Sequence, residues 1–303
     1  MSENTISEKK DTMMMCCASC GAAEGNGIQL RTCTACKSVR YCGVTCQKNH
    51  RPKHKNACKK RAAELRDEIL FRQTESSHLG DCPICLLPLP LDGDKSIYHT
   101  CCSKVVCKGC VLANFKRLRE EGSEVTCPFC RDDPQNGDHD QKMMKRVQAN
   151  DPSALSHMGI KRYLEGNYAE AFQYLKKAAE LGDVTAHDRL SFMYKSGEGV
   201  VKDKQKEVYH AEEAAIRGHL DSRYRLSCYE MRKFRPEIAK KHLIIAANLG
   251  HNVSMNELKE WYKSGMVSKE DFASALRAHK AAVDATKSPQ RDEADAVDAA
   301  RKK

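Results

Sequence analysis

The chain has 303 residues, enough for roughly two domains. Its 41% apolar fraction includes 17 Cys, and there are only 7 Phe and one Trp, so one large α/β core is excluded. The formal charge is +10, and no window approaches the ~18 apolar residues that cross a bilayer, which excludes an integral membrane protein.

Residues 1–15 carry acids and lysines and no apolar run of signal-peptide length, so they read as a disordered N-terminus rather than a secretory signal. The cytoplasm or the nucleus is then the expected location. In a reducing compartment thiols serve metals better than disulfides. Sixteen of the 17 cysteines lie between Cys16 and Cys130, and only Cys228 lies beyond. The chain therefore reads as a metal-dependent front joined to a cysteine-poor back.

The first cluster occupies residues 16–58. It runs Cys17-x-x-Cys20, Cys33-x-x-Cys36, Cys42-x-x-x-Cys46 and His54-x-x-x-Cys58. Tetrahedral structural zinc takes four thiolate or imidazole ligands, so eight ligands imply two ions. The i, i+4 spacing of His54 and Cys58 puts both on one helical face. His50 is an alternative ligand with poorer spacing, and Cys16 is a spare thiol.

The run Tyr41–Cys58, YCGVTCQKNHRPKHKNAC, resembles the MYND zinc finger. That resemblance implies interleaved sites: Cys17, Cys20, Cys42 and Cys46 on one zinc, and Cys33, Cys36, His54 and Cys58 on the other. It also implies binding of proline-containing peptides, a role that Arg51, standing where the family usually has Trp, puts in question. From Arg31 to Arg66 there are 11 Lys or Arg against the single acid Glu64. The run lacks interleaved aromatics, so it reads as a solvated face or an import signal rather than a nucleic-acid surface.

Residues 59–79 read as a charged linker, helical at first. The second cluster follows at 80–132, with Cys82-x-x-Cys85, Cys101-Cys102, Cys107-x-x-Cys110 and Cys127-x-x-Cys130. Between the last two pairs, Val111, Leu112, Phe115 and Leu118 predict a short helix. CPIC at the start and CPFCR at the end resemble a RING finger. The resemblance implies a cross-brace in which Cys82, Cys85, Cys107 and Cys110 hold one ion and Cys101, Cys102, Cys127 and Cys130 the other. Lys104 stands where most RING fingers have His, and His99 is the fallback ligand if adjacent thiolates cannot both reach.

RING fingers bind a ubiquitin-conjugating enzyme charged with ubiquitin and position its thioester for attack by a lysine. By this resemblance Ile84 and Pro128 would contact the conjugating enzyme and Arg131 would bridge it to ubiquitin, a role suited to a planar guanidinium. No residue of the finger would act as a nucleophile. The competing reading keeps Ile84 in the finger's own core and leaves Arg131 solvated.

Residues 133–150 form a turn-rich break, DDPQNGD, and a capping helix. In the segment 151–287, AAELGD (Ala178–Asp183), AAIRGH (Ala214–His219) and AANLGH (Ala246–His251) recur at spacings of 36 and 32 residues. That is the signature of stacked helical repeats. The copy with Ala186, Leu190, Tyr194, Gly197, Gly199, Val200, Asp203, Ala214, Ala215 and Gly218 resembles the Sel-one-like repeat, a relative of the tetratricopeptide repeat. A degenerate further copy runs from Ser254 to Ala282. Such an array implies a concave surface for protein partners. Tyr163, Tyr174, Tyr194 and Tyr262 read as core, and Cys228 as packing. Residues 288–303 read as a polar tail, frayed or disordered.

The expected architecture is mainly α: two small zinc-stabilised fingers, MYND-like and RING-like, followed by an α-helical repeat solenoid, with four zinc ions. Fifteen thiolates against four dications would bring the charge from +10 close to neutral. The expected function is a RING-type ubiquitin ligase whose repeats and MYND finger select substrates. The alternative is a non-catalytic scaffold for protein–protein interaction.

Overall fold

The computed structural model describes residues 16–25, 27–133 and 139–301. Residues 1–15, where the N-terminal expectation falls, lie outside the described residues. The chain divides into two compact units, Met1–Arg72 and Gln73–Lys303. None of the described helices is long and apolar enough to cross a membrane.

In the first unit, β1 (Arg31–Thr32) pairs antiparallel with β2 (Arg40–Tyr41), with Arg31 opposite Tyr41. Cys17, Leu30, Cys33, Cys36 and Tyr41 form a small buried core. Helix α1 (Val44–Leu70) carries Pro52 in its interior and buries only Leu70 along its length. Pro52 has no N–H to donate, and a helix polar all round has little tertiary packing to sustain it. What α1 contributes is ligands: Cys46, His54 and Cys58 all project from it. The helix expected at the start of the 59–79 linker is the second half of α1.

The second unit opens with a segment laid along the repeats. The His78 N–H donates to the Gly218 carbonyl at 3.1 Å. Gly218 has φ +87°, and a Cβ there would sit 2.8 Å from the Ser76 carbonyl oxygen, so glycine is required on both counts. A one-turn 3₁₀ helix at Gly93–Lys95 leads into the hairpin of β3 (Ser96–His99) and β4 (Lys104–Cys107), with Ser96 opposite Cys107 and His99 opposite Lys104. Helix α2 (Lys108–Glu120) follows, where the apolar spacing predicts it. The finger's core is Cys82, Leu89, Val106, Cys107 and Cys110. That is too little apolar surface to fold without metal.

After α3 (His139–Gln148) come four helix pairs: α4 (Pro152–Leu164) with α5 (Tyr168–Glu180), α6 (Val184–Ser196) with α7 (Lys204–Ile216), α8 (Leu220–Arg232) with α9 (Pro236–Asn248), and α10 (Asn252–Lys263) with α11 (Lys269–Ala285). Asp151, Asp183 and Asp203 cap α4, α6 and α7 by accepting from backbone N–H groups of the first turn. Small residues bring the helices close: Ala171, Ala178, Ala186, Ala214, Ala239 and Ala246 are fully buried. Leu155, Leu175 and Leu190 fill the core of the first repeats, Leu243 and Leu258 that of the last. Tyr163 and Tyr174 pack against the first core, while Tyr262 is partly exposed and stacks on Phe272 with centroids 4.8 Å apart.

Two features depart from the sequence reading. Residues 288–303, expected as a frayed or disordered polar tail, form helix α12 over Pro289–Arg301, packed against α2 of the finger. Its polar residues are partnered: Lys95–Asp295 at 2.7 Å, Lys108–Asp298 at 2.6 Å, and Lys116–Glu293. Composition alone cannot reveal partners nearly 200 residues away. The repeats also face the chain's own finger. Tyr98 of β3 stacks on His157 of α4, and the starts of α4, α6, α8 and α10 line a crevice of about 960 Å³ whose other wall includes Pro83, Leu91 and Lys104.

Candidate metal centres

Sixteen Cys and His side chains converge as four tetrads: Cys17, Cys20, Cys42, Cys46; Cys33, Cys36, His54, Cys58; Cys82, Cys85, Cys107, Cys110; and Cys101, Cys102, Cys127, Cys130. In each, all ligand atoms lie within 4.8 Å of one another. A tetrahedral zinc with Zn–S of about 2.3 Å requires S···S separations of about 3.8 Å. The sulfurs of Cys33 and Cys58 are 3.8 Å apart, Cys85 and Cys107 3.8 Å, Cys82 and Cys110 3.9 Å, and Cys102 and Cys127 3.9 Å. His54 presents Nε2, 3.2 Å from Cys36 Sγ. The donor sets fit zinc.

Local folding explains how. In the first finger β1 and β2 hold the two Cys-x-x-Cys turns, Cys42 directly follows β2, and α1 delivers Cys46, His54 and Cys58, the last two one turn apart. His50 is engaged elsewhere, hydrogen-bonded through Nδ1 to the Tyr41 hydroxyl at 3.0 Å. Arg51 is exposed, and Cys16 lies outside the tetrads. In the second finger the adjacent thiols both reach. The backbone turns at Ser103, φ +55°, whose N–H donates to the His99 carbonyl, and this sends Cys101 toward Cys130 at 3.4 Å and Cys102 toward Cys127. His99 stays outside, and Lys104 places its ammonium 5.9 Å from the Phe129 ring centroid.

Electrostatics agree with a dication at each centre. Burial raises the Cys82 thiol, but backbone N–H groups of Cys107, Cys85 and Ile84 outweigh it and bring the pKa down to about 7. Cys17 and Cys33 are likewise brought down to about 6 against their burial. Their neighbours move the other way: Cys42 is pushed up to about 12 by hydrogen bonding to Cys46, Cys20 and Cys17, and burial pushes Cys58 to about 11. Four thiolates this close need a cation to ionise together.

The same N–H···S bonds fix the residues between ligands. Ile84 donates to Cys82, and Phe129 to Cys127. Their side chains remain 41% and 43% exposed. Pro128 is half-buried, and Arg131 is exposed with φ +60°, its N–H donating to the Cys127 carbonyl at 2.9 Å. Phe129 was not singled out from sequence, although its place inside CPFC marks it.

Comparison with known proteins agrees with the geometry. Residues 17–58 match the family model of the MYND finger, and residues 152–183, 184–219 and 221–251 each match that of the Sel1 repeat. The chain joins a MYND finger to Sel1 repeats. The Sel1 match ends before α10 and α11, which continue the array as the degenerate pair expected from sequence. ORF96 of Ostreid herpesvirus 1 (isolate France), a protein whose name refers to a RING finger, is 33% identical over 57 residues. The match covers 19% of this chain and spans about a quarter, 24%, of that viral protein. Among solved structures, a Sel1 repeat protein from Oxalobacter formigenes is similar at 28% identity and TM-score 0.36, over 40% of this chain and 97% of its own. The protective antigen c5321 of uropathogenic Escherichia coli, with an SLR fold, is similar at 20% identity and TM-score 0.41, over 58% and 37%.

The chain is thus a zinc-finger and Sel1-repeat protein suited to protein interaction. Two arginines outside the ligand strings also belong to the second finger's surroundings. Arg146 of α3 donates from Nε and Nη2 to the Cys101 carbonyl at 3.2 and 3.0 Å, and Arg291 of α12 reaches Cys85. Neither carries a local sequence signal.

Proposed function

We propose that this chain is a RING-type ubiquitin ligase, with the second finger recruiting the charged ubiquitin-conjugating enzyme and the Sel1 repeats and MYND finger selecting the protein to be modified. The observation that carries the reading is Ile84. It is a large apolar side chain left exposed on a ligand loop whose backbone is pinned by N–H···S bonds. Pro128 and Arg131 on the last ligand loop supply the other two positions that the RING resemblance assigns to contact. The finger would act by positioning alone, holding the thioester for attack.

The test is in-vitro ubiquitination with a panel of conjugating enzymes. Chain formation by the wild type, reduced at least ~10-fold in Ile84→Ala/Arg131→Ala with zinc content intact, is the expected result; one lost apolar contact and one lost charged hydrogen bond are each worth about 1–3 kcal/mol. Inactivity of the wild type across the panel, or full activity of the double variant, contradicts it.

One observation favours a second reading, a non-catalytic scaffold. Lys104, in place of the usual His, lies over the Phe129 ring beside Pro128 and sets a cation against the apolar contact loop. Retained partner binding with no binding of any conjugating enzyme would favour the scaffold.

A further inference from the structure

Helix α12 docks on the second finger, and one residue does more than dock. Arg291 is 6% exposed. Its Nη1 donates to the Pro88 carbonyl at 2.7 Å and to the Thr286 carbonyl at 2.7 Å. Its Nη2 donates to the Leu87 carbonyl at 3.2 Å and to Cys85 Sγ at 3.4 Å, across 206 residues of sequence. The guanidinium therefore spans the loop that follows the first ligand pair and touches a ligand sulfur. Close approach is built in on the other side: Gly109 of α2 has no side chain where a Cβ would lie 2.9 Å from the Arg291 nitrogen.

The charge balance gives this contact a purpose. Four thiolates around one Zn²⁺ leave the Cys82–Cys85–Cys107–Cys110 centre with a net charge of −2. A buried anion needs a partner, and a planar, always-protonated guanidinium that can hydrogen-bond sulfur supplies one. The three Lys–acid pairs between the finger and α12 are about one-third exposed or more and chiefly orient the helix. Arg291 is the buried link.

We propose that Arg291 is a positioning residue of the Cys82–Cys85–Cys107–Cys110 zinc centre, so that metal retention at this centre and docking of the C-terminal helix reinforce each other. The finger is then complete only when the far end of the chain has returned to it. This rests on the zinc reading of the tetrad and not on ligase activity.

The experiment uses the full chain loaded with zinc. A chelator is titrated while bound zinc is counted by native mass spectrometry, and hydrogen exchange is followed in residues 82–110 and 289–301. Outer-sphere partners of ligands typically govern metal affinity 10- to 100-fold. Arg291→Ala should give up one zinc at a ~10-fold or more lower chelator concentration, with faster exchange in both segments and the first finger unchanged. Arg291→Lys, which keeps the charge and loses the fork, should fall between. Because Arg291→Ala could fail to fold, Asp295→Asn/Asp298→Asn weakens docking without touching Arg291 and should also ease zinc loss. Wild-type zinc retention in Arg291→Ala overturns the proposal. So does an undocked α12 in Asp295→Asn/Asp298→Asn with no change in zinc retention. The wild type holding four ions keeps either failure separate from failure of the zinc reading itself.

Discussion

The ring of Tyr98 in the second finger stacks on the ring of His157 in the first repeat, centroids 3.5 Å apart and planes 14° from parallel. The contact ties a zinc-built hairpin to a helix that folds by ordinary apolar burial. It also makes that junction sensitive to acid. Burial lowers the His157 pKa to about 4, so the folded state holds the ring neutral. The unfolded ring titrates near 6.5. The unfolded state thus binds more protons between those values. The stabilising contribution is complete above pH 6.5 and declines as pH falls toward 4. His157→Gln should show a smaller drop in thermal midpoint than wild type between pH 7 and pH 4.5, a comparison that removes the acid sensitivity of the thiolates common to both. Parallel pH profiles would mean that the ring is not held neutral in the fold.

Gly109→Ala offers a test of sign. In an isolated helix the change stabilises by about 1 kcal/mol. In the full chain the added Cβ meets the Arg291 backbone at 2.9 Å, and backbone cannot swing aside as a side-chain tip can. Overpacking of this kind costs about 1–3 kcal/mol. Net destabilisation, with faster hydrogen exchange in residues 289–301, is expected from denaturant unfolding and exchange. A stabilised variant would show that α12 does not pack on α2.

The repeats should behave as an apolar core independent of metal. Leu243 is fully buried between α9 and its neighbours, so Leu243→Ala should lower stability by about 2–5 kcal/mol. Its zinc content should be unchanged. Simultaneous loss of zinc from all four centres would show that the repeats and the fingers fold as one cooperative block.

Strong chelation should act in the opposite sense. The second finger has eight buried apolar residues, five of them ligands, so metal removal should unfold residues 80–132 and free α12. Helices α4 to α11 should keep their circular dichroism signal near 222 nm. Survival of the finger's exchange protection after chelation would count against a metal-built core.

Much of this was legible in sequence because its determinants are local. Seven of the eight ligand pairs have two or three residues between them, Cys101 and Cys102 are adjacent, and the Ala-Ala-x-x-Gly strings recur at the length of one helix pair. Turn geometry and helical repeat geometry impose those spacings, and spacing survives in a linear string. The rest depends on single residues that meet only after folding. Arg291 and Cys85 are separated by 206 residues, and Asp295 and Lys95 by 200. Nothing near either partner encodes the other, so α12 read as a polar tail. The seating of Tyr98 on His157 was hidden for the same reason, and with it the crevice shared by the finger and the repeats. Ile84, Pro128 and Arg131 were chosen by resemblance, and the structure adds the exposure and backbone anchoring of Ile84 and Arg131 and leaves Pro128 half-buried.

Zinc stoichiometry by native mass spectrometry bears most directly on the four centres from which the folded fingers, the docked α12 and the proposed activity all follow. Four ions per chain is the expected result, falling to three in Cys85→Ser as that single tetrad is broken. Two ions per chain, with Cys85→Ser unchanged, would show that only the MYND finger holds metal and would remove the basis for a RING-type finger in residues 80–132.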